Sequence, residues 1–357
     1  MRHIQTVRQG GKSVITGLQL GLYTLGDHIA DPITKKRYTA TERIHNIVEM
    51  ATLAEQAGFD IFQVGESHQP MFVSQGHLVL LGAIAQATST IRLSSGATII
   101  GVADPVRVYE EAATIDLISN GRMELLCGRS ARTGIYETLG YDLNDYEALF
   151  EEKFQLLKLI NQREFVTWSG EYRTPLNNVQ ILPRSIQAEG LPIWRAVGGS
   201  LASAEQAGRN GDAICVMDYS WEMERYRSLI QHYRNHAMSE GHEVQQLPVA
   251  IAGYLFAHES NQQAIDAYYP YVKAGSMQVN NQTIDKQEFQ QADQLSTLIN
   301  VGSPSFIVEK MLKQYEELGH QRFIGHIDFG GVSFEAVKRT LTLLGEQVVP
   351  QIKKYTK

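Results

Sequence analysis

Residues 92–130 read RLSSGATIIGVADPVRVYEEAATIDLISNGRMELLCGRS and contain one complete strand–helix–strand unit. The apolar run 92–100 predicts a strand. Asp104-Pro105 predicts a helix start, because aspartate caps a helix and proline suits its first turn. Asn120-Gly121 predicts the helix end, since these residues readily adopt the left-handed conformation found there. The run 123–127 predicts the next strand, so the unit is typical of a parallel sheet.

The same alternation of apolar runs and amphipathic stretches extends in both directions. The runs that predict strands are 17–24, 61–64, 92–100, 123–127, 191–197, 213–216, 249–257 and 322–328. Eight strands with helices between them predict an α/β fold of the (β/α)8 TIM-barrel type. The alternative is a doubly wound open sheet, but 17–26 lacks the GxGxxG spacing that usually follows its first strand.

The barrel pattern covers residues 17–357 as a single domain, preceded by a short N-terminal arm, 1–16. The arm is polar and basic, without the apolar core of a signal peptide, and we expect it to be loose. Between about 258 and 300 the chain becomes polar, glutamine-rich and weakly periodic. We therefore predict a late insertion there rather than another repeat unit.

The composition excludes several classes of partner. The 357 residues carry 32 basic and 39 acidic side chains, a formal charge of -7, so nothing favours nucleic-acid or membrane partners. No apolar stretch is long enough to span a membrane. Cys127 and Cys215 lie in apolar runs without CxxC spacing, which predicts buried reduced thiols and a cytoplasmic protein. The absence of HExxH, GxSxG and paired CxxC motifs predicts neither a metal site nor a serine nucleophile.

Residues that follow the strands of a barrel share one rim, where active sites lie. The turn Gly198-Gly199-Ser200 opens a helix that also carries Ser203, and free N–H groups at a helix start bind anions. Arg129 directly follows a predicted strand and suits a phosphate. A plain glycine turn with a serine cap, and a rim salt bridge, are the ordinary alternatives. Together the two features indicate a phosphorylated ligand.

Glu66 and His68 follow the second predicted strand. A carboxylate and an imidazole at a barrel mouth are candidates for acid–base catalysis, with His68 the first choice. Structural hydrogen bonding is the alternative for both residues.

Several segments resemble those of the bacterial luciferase-like flavin-dependent monooxygenases, in the same order and spacing. They are AEQAGFD at 54–60 with ESH at 66–68, DPVR at 104–107, ISNGR at 118–122 leading to Arg129, GSP at 302–304, FGG at 329–331 and VP at 349–350. The resemblance extends from about residue 17 to 352 and implies the same (β/α)8 barrel.

The resemblance also implies a cofactor and its contacts. The usual cofactor of the family is FMN, and a deazaflavin serves in one branch. Arg129 matches the phosphate-binding arginine, and Gly199, Ser200 and Ser203 match the phosphate-binding loop. Gly96-Ala97 matches a non-proline cis peptide beneath the flavin ring. A homodimer is also implied. Because no nicotinamide fingerprint is visible, we expect a separate flavin reductase to supply reduced FMN.

Three positions depart from bacterial luciferase itself. Ser67 stands where luciferase has a catalytic histidine, Gly128 where it has a reactive cysteine, and Gly199 where it has an acidic residue. Light emission and aldehyde oxidation are therefore not expected. The sequence predicts an FMN-dependent monooxygenase that uses O2 on a small organic substrate of unknown identity. The alternatives are a deazaflavin-dependent hydride transferase, a non-catalytic flavin-binding protein and a phosphosugar-binding barrel.

Overall fold

A computed structural model describes residues 7–9, 12–14 and 17–357. Within the arm, Val7–Gln9 and Lys12–Val14 pair as antiparallel strands. The remaining residues of the predicted loose arm lie outside the described part of the chain.

Eight parallel strands form a closed barrel, as predicted. They are β1 Gln19–Thr24, β2 Ile61–Val64, β3 Arg92–Ser95, β4 Met123–Gly128, β5 Ile193–Val197, β6 Ala213–Val216, β7 Val249–Ala257 and β8 Arg322–His326. Each strand pairs in parallel with the next, and β8 pairs with β1 through Ile324 opposite Gly21, which closes the sheet. All carboxyl ends of the strands therefore meet at one rim.

Helices connect the strands. The longer ones are α1 Ala40–Gln56, α2 His77–Ala87, α3 Pro105–Ser119, α4 Tyr146–Gln162, α5 Leu201–Arg209, α6 Met223–Ser239, α7 Asn261–Asn280, α8 Pro304–Leu318, α9 Phe334–Leu343 and α10 Val349–Tyr355. Single-turn helices lie at Gly134–Thr138 and Lys286–Phe289, and a π-helical turn, Leu344–Val348, separates α9 from α10. The predicted limits of α3 are confirmed. Asp104 accepts a hydrogen bond from the Val106 N–H, and Asn120 ends the helix at φ 55°.

The predicted insertion lies between β7 and α8 and is more ordered than its polar sequence indicates. Its first half is α7, which buries Tyr268, Tyr271 and Val272. It ends in the short strand Asn300–Gly302, which pairs in parallel with the end of β7. A further antiparallel hairpin, Phe165–Trp168 with Leu176–Gln180, lies between α4 and β5 and was not predicted.

The amino-terminal end of the barrel is held by buried charges. The Glu124 carboxylate on β4 contacts the guanidinium of Arg322 on β8 and that of Arg92 on β3. Burial alone would raise the pKa of Glu124, but the two arginines outweigh it and lower the pKa. These residues begin or nearly begin their strands, so this end is structural and the opposite end is free to carry a site.

Both cysteines are free and buried, as predicted. Burial raises the pKa of Cys127 well above its usual range and that of Cys215 to about 12. Neither is a reactive thiolate at neutral pH.

Within the described residues, every helix is too short or too polar to cross a membrane.

Candidate functional site

A cavity of about 520 Å³ opens at the carboxyl-terminal rim of the barrel, and all eight strands contribute to its wall. One lining residue from each strand or its following loop, in order, is Tyr23, Glu66, Gly96, Gly128, Ala196, Met217, Tyr254 and His326. A concave site built from every strand end is the usual place for a ligand in this architecture.

Most of the predicted cofactor-binding residues meet at this cavity. Gly96, Ala97, Arg129 and Ser200 line it directly. Ser203 lies behind the wall, where its hydroxyl accepts a hydrogen bond from Arg129 Nη2 at 2.7 Å. The Ser200 hydroxyl in turn accepts from the Ser203 N–H at 3.4 Å and caps α5. The arginine and the helix start therefore form one cationic, donor-rich corner of the cavity.

Aromatic rings and backbone contacts hold Arg129 in place. Its guanidinium lies over the rings of Tyr146 and Phe150, at 5.8 and 5.6 Å from their centroids. The Tyr136 hydroxyl donates to the Arg129 carbonyl at 3.0 Å. The nearest carboxylate, Glu147, lies 3.5 Å from Arg129 Nη1, and its side chain is 81% exposed. Such an exposed pair is weak, so the guanidinium keeps its capacity for a stronger anion.

Gly199 has neither the backbone conformation nor the space for a side chain. Its φ is 94°, and a Cβ there would lie 2.0 Å from Asp218 Oδ1. Asp218 is paired with Arg225, whose Nε donates to its carboxylate at 2.6 Å. Gly199 therefore leaves room for the Asp218 carboxylate, whose charge Arg225 balances.

The peptide bond Gly96-Ala97 is cis, as the resemblance implies. Glu66 holds the chain that directly follows it. Its backbone N–H donates to the Ala97 carbonyl at 3.3 Å, and its Oε2 accepts from the Ile99 N–H at 2.6 Å. A Cβ on Gly96 would lie 3.3 Å from the Tyr23 ring, so the floor of the cavity is closely packed here.

Glu66 and His68 contact each other but are placed differently. His68 Nε2 lies 2.8 Å from Glu66 Oε1. Glu66 lines the cavity, whereas His68 is exposed and lies outside the lining. Burial would raise the pKa of Glu66, but hydrogen bonds from His68 and Ile99 and the nearby charge of His77 lower it. Glu66 positions backbone through these hydrogen bonds, and acid–base catalysis by Glu66 and His68 stays a prediction.

His326 is a cavity residue that the sequence did not single out. Its Nε2 lies 3.2 Å from Asp328 Oδ1 and 3.8 Å from Asp27 Oδ1, and all three side chains are buried. Burial would lower the pKa of His326, but the two carboxylates raise it to about 9. Arg43 contacts the other oxygen of Asp328. An imidazolium and a guanidinium therefore balance two carboxylates beside the cavity.

Within the described residues, two groups of side chains could hold a metal ion. One is Asp27, His326 and Asp328, and the other is Glu205, His232 and His236 at the surface between α5 and α6. In the buried group, Arg43 and a protonated His326 balance the charges of both carboxylates. His232 and His236 lie four residues apart on one helix, although the sequence predicted no metal site.

The sequence matches the family model for luciferase-like monooxygenases over residues 19–322. The chain belongs to the luciferase-like monooxygenase family. Among curated relatives of this luciferase-like protein is the oxygenase component of a flavin-dependent trigonelline monooxygenase from Acinetobacter baylyi. It is 22% identical, and the alignment covers 93% of this chain and 95% of the relative.

Solved structures confirm the luciferase-like fold. The monooxygenase RslO1 from Streptomyces bottropensis has a TM-score of 0.81 at 21% identity, covering 93% of this chain and 99% of its own. The FMN complex of the oxygenating constituent of 3,6-diketocamphane monooxygenase from Pseudomonas putida has a TM-score of 0.75 at 17% identity, covering 94% of this chain and 98% of its own. An F420-dependent secondary alcohol dehydrogenase has a TM-score of 0.71 at 18% identity, covering 94% of this chain and 99% of its own. The neighbours of this fold thus include both flavin and deazaflavin enzymes.

Proposed function

We propose that this protein is an FMN-dependent monooxygenase that receives reduced FMN from a separate reductase and oxidises a small organic molecule with O2. The observation that carries the proposal is the contact between Arg129 and Ser203, which joins a cation to the start of α5 at the cavity wall. A phosphate there would accept from the guanidinium and from the first turn of the helix.

The residues present fit FMN. Arg129 and Ser200 supply donors at one corner of the cavity, and Gly199 leaves the turn open where a Cβ would collide with Asp218. The small residues Gly96 and Ala97 form part of the wall on which a flat ring could rest. A charged corner joined to a flat wall suits a phosphorylated molecule with a planar head.

The chain's own residues hold the reactants and exclude water. Reduced FMN, when bound, supplies the electrons that activate O2, a reaction that belongs to the cofactor. The apolar side chains of Leu25, Met217 and Phe329 line the cavity and, in the proposed reaction, help to exclude water from it. His326 keeps a proton in the wall because Asp27 and Asp328 stabilise its charged form. Glu66 fixes the backbone around Ala97.

A deazaflavin-dependent hydride transferase is the second candidate, because the neighbouring F420-dependent dehydrogenase shares the fold over most of the chain. The same phosphate corner would serve both cofactors. Competition between FMN and a deazaflavin for the purified protein, followed by fluorescence, separates them. Oxygen consumption with reduced FMN and a substrate panel separates the monooxygenase from a flavin-binding protein without turnover.

A relative also supports a partner for this protein. The trigonelline monooxygenase from Acinetobacter baylyi is named as an oxygenase component, which supports a separate reductase here. The homodimer stays a prediction from the resemblance, and light scattering of the purified protein tests it.

Flavin titration of the purified chain tests the proposal. We expect saturable binding of FMN, and we expect Arg129→Met to weaken it about 10- to 100-fold through loss of a charged hydrogen-bond donor. Arg107→Met is the matched control, because Arg107 lies 68% exposed on α3 and pairs only with neighbouring glutamates among the described residues. Absence of saturable binding in both oxidation states, or equal binding by wild type and Arg129→Met, would overturn it.

A further inference from the structure

Two arginines in the loop after β4 contact different parts of the molecule. Arg129 reaches Ser203 on α5, whereas Arg132 lies over the ring of Phe72, 5.1 Å from its centroid, in the loop after β2. Ser130 turns the chain between them. Its φ is 74°, its hydroxyl accepts from the Arg132 N–H at 3.0 Å, and its carbonyl accepts from the Tyr146 hydroxyl at 2.8 Å.

The contact with Phe72 leaves the hydrogen-bond donors of the Arg132 guanidinium unused among the described residues. Arg132 lines the cavity, yet its guanidinium makes no ion pair or hydrogen bond within the described chain, and its Nε is buried without a partner. A guanidinium carries five donors and a permanent charge. Keeping such a group partly buried and unpaired is costly, so its position indicates an anionic ligand.

The surroundings of Arg132 are aromatic. Burial raises the pKa of the Tyr23 and Tyr254 hydroxyls, and the nearby charge of Arg132 opposes that rise. Tyr254 lies 5.6 Å from Tyr219 and 5.3 Å from Phe329, measured between ring centroids. The Tyr219 hydroxyl is also buried without a partner among the described residues. In the part of the chain that the structure describes, this side of the cavity thus combines a guanidinium and a hydroxyl with unused hydrogen-bonding groups and several ring faces.

We propose that Arg132 binds a carboxylate of the substrate, whose planar, apolar body packs against Tyr23, Tyr254 and Phe329. The inference rests on the proposed function, in which the cofactor's phosphate takes Arg129 and leaves Arg132 to the substrate. A single guanidinium balances one negative charge and matches the two oxygens of a carboxylate. A phosphate dianion would call for further donors, and those lie at the other corner with Ser200 and Ser203.

Calorimetric titration of the FMN-loaded protein with matched probes tests the proposal. The probes are benzoate, phenylacetate and 3-phenylpropanoate, each beside its primary amide. We expect at least one acid to bind about 10-fold or more tightly than its amide, the effect of one charged hydrogen bond. Arg132→Met should remove this preference, and Arg132→Lys should keep part of it, because lysine keeps the charge but loses the planar donor pair.

The controls separate this inference from the proposed function. FMN affinity should be unchanged in Arg132→Met and reduced in Arg129→Met, and circular dichroism should show both variants folded. Equal binding of acids and amides by wild type, a preference that survives Arg132→Met, or loss of FMN binding in Arg132→Met would each overturn the inference. If wild type binds no FMN, the proposed function fails, and the acid preference can still be measured on the unloaded protein.

Discussion

Position 199 accepts glycine alone, for two independent reasons. Its φ of 94° lies in the left-handed region, and a Cβ would lie 2.0 Å from Asp218 Oδ1. We expect Gly199→Ala to lower the free energy of unfolding by about 1–3 kcal/mol and to weaken FMN binding, because the turn must shift. Denaturant unfolding and flavin titration measure the two effects.

Gly198→Ala is the matched control, since a Cβ there meets no heavy atom within 4 Å. It should cost less than about 1 kcal/mol of stability. If the two variants are equally stable, the close approach of Asp218 does not constrain this turn.

His326 predicts a pH dependence of stability. Its pKa rises from an ordinary 6.5 to about 9, because the carboxylates of Asp27 and Asp328 outweigh burial. A raised pKa contributes stability that is complete below pH 6.5 and is lost as the pH rises through 9. The free energy of unfolding should therefore fall by about 2–3 kcal/mol across this window. Denaturant unfolding at a series of pH values measures it.

The groups facing His326 set the sign of this effect. Asp27 and Asp328 favour the imidazolium, Arg43 neutralises part of Asp328, and Tyr23 lies edge-on at 4.8 Å. His326→Asn should flatten the slope between pH 6.5 and 9, whereas His45→Asn, at an exposed position of α1, should leave it as in wild type. An unchanged slope in His326→Asn would show that another group titrates.

Local sequence pointed to residues that are visible within a few letters, and missed those assembled by barrel closure. A strand end singled out Arg129 and a helix start singled out Ser200 and Ser203; the structure places them together, and their binding of a cofactor stays a prediction. The pair of His326 and Asp27 was not, because its members are distant in the chain and meet only when β8 pairs with β1. Arg132 was missed because its proposed role rests on the lack of hydrogen-bond partners among the described residues, which a sequence does not show.

At the scale of elements, the proposed function gives the start of α5 two tasks that can be separated. Ser200 caps α5 by accepting from the Ser203 N–H, and Ser303 caps α8 by accepting from the Phe306 N–H. Each serine-to-alanine change should cost about 1 kcal/mol of stability. Only Ser200→Ala should also weaken FMN binding, by about 5- to 10-fold, because a hydrogen bond to the phosphate is lost.

Paired thermal unfolding and flavin titration of these two variants test the assignment. Similar losses of stability with FMN affinity reduced in Ser200→Ala alone would support it. Equal FMN affinities would mean that the cap has no contact with the cofactor.

The limits of the elements were predicted best for three strands of the barrel. The limits of β2, β6 and β7 match the apolar runs, whereas the run 92–100 divides into β3 and Thr98–Ile99 around Gly96-Ala97. The hairpin at 165–180 was missed because most of its residues are exposed and show no apolar alternation. The helix α7 was hidden by glutamines and an internal Pro270, and forms because tertiary packing buries one face.

At the scale of the whole molecule, the two ends of the barrel differ in what they carry. Buried charges around Glu124 hold the amino-terminal end, and the cavity occupies the opposite rim. The sequence predicted the barrel and the rim that carries the cavity, because the alternation of strands and helices recurs eight times, but it did not predict the buried charges at the other end. It could not predict the side of the cavity around Arg132, because residues of β1, of β7 and of the loops after β2, β4 and β8 meet there only in the folded barrel.

A crystal structure of the protein with FMN tests the central claim most directly. We expect the phosphate within hydrogen-bond distance of Arg129 and Ser200, at the start of α5, and the flavin ring over Gly96-Ala97. A phosphate bound elsewhere, such as at Arg132, or a ring that lies away from Gly96-Ala97, would contradict the account even though the barrel itself would stand.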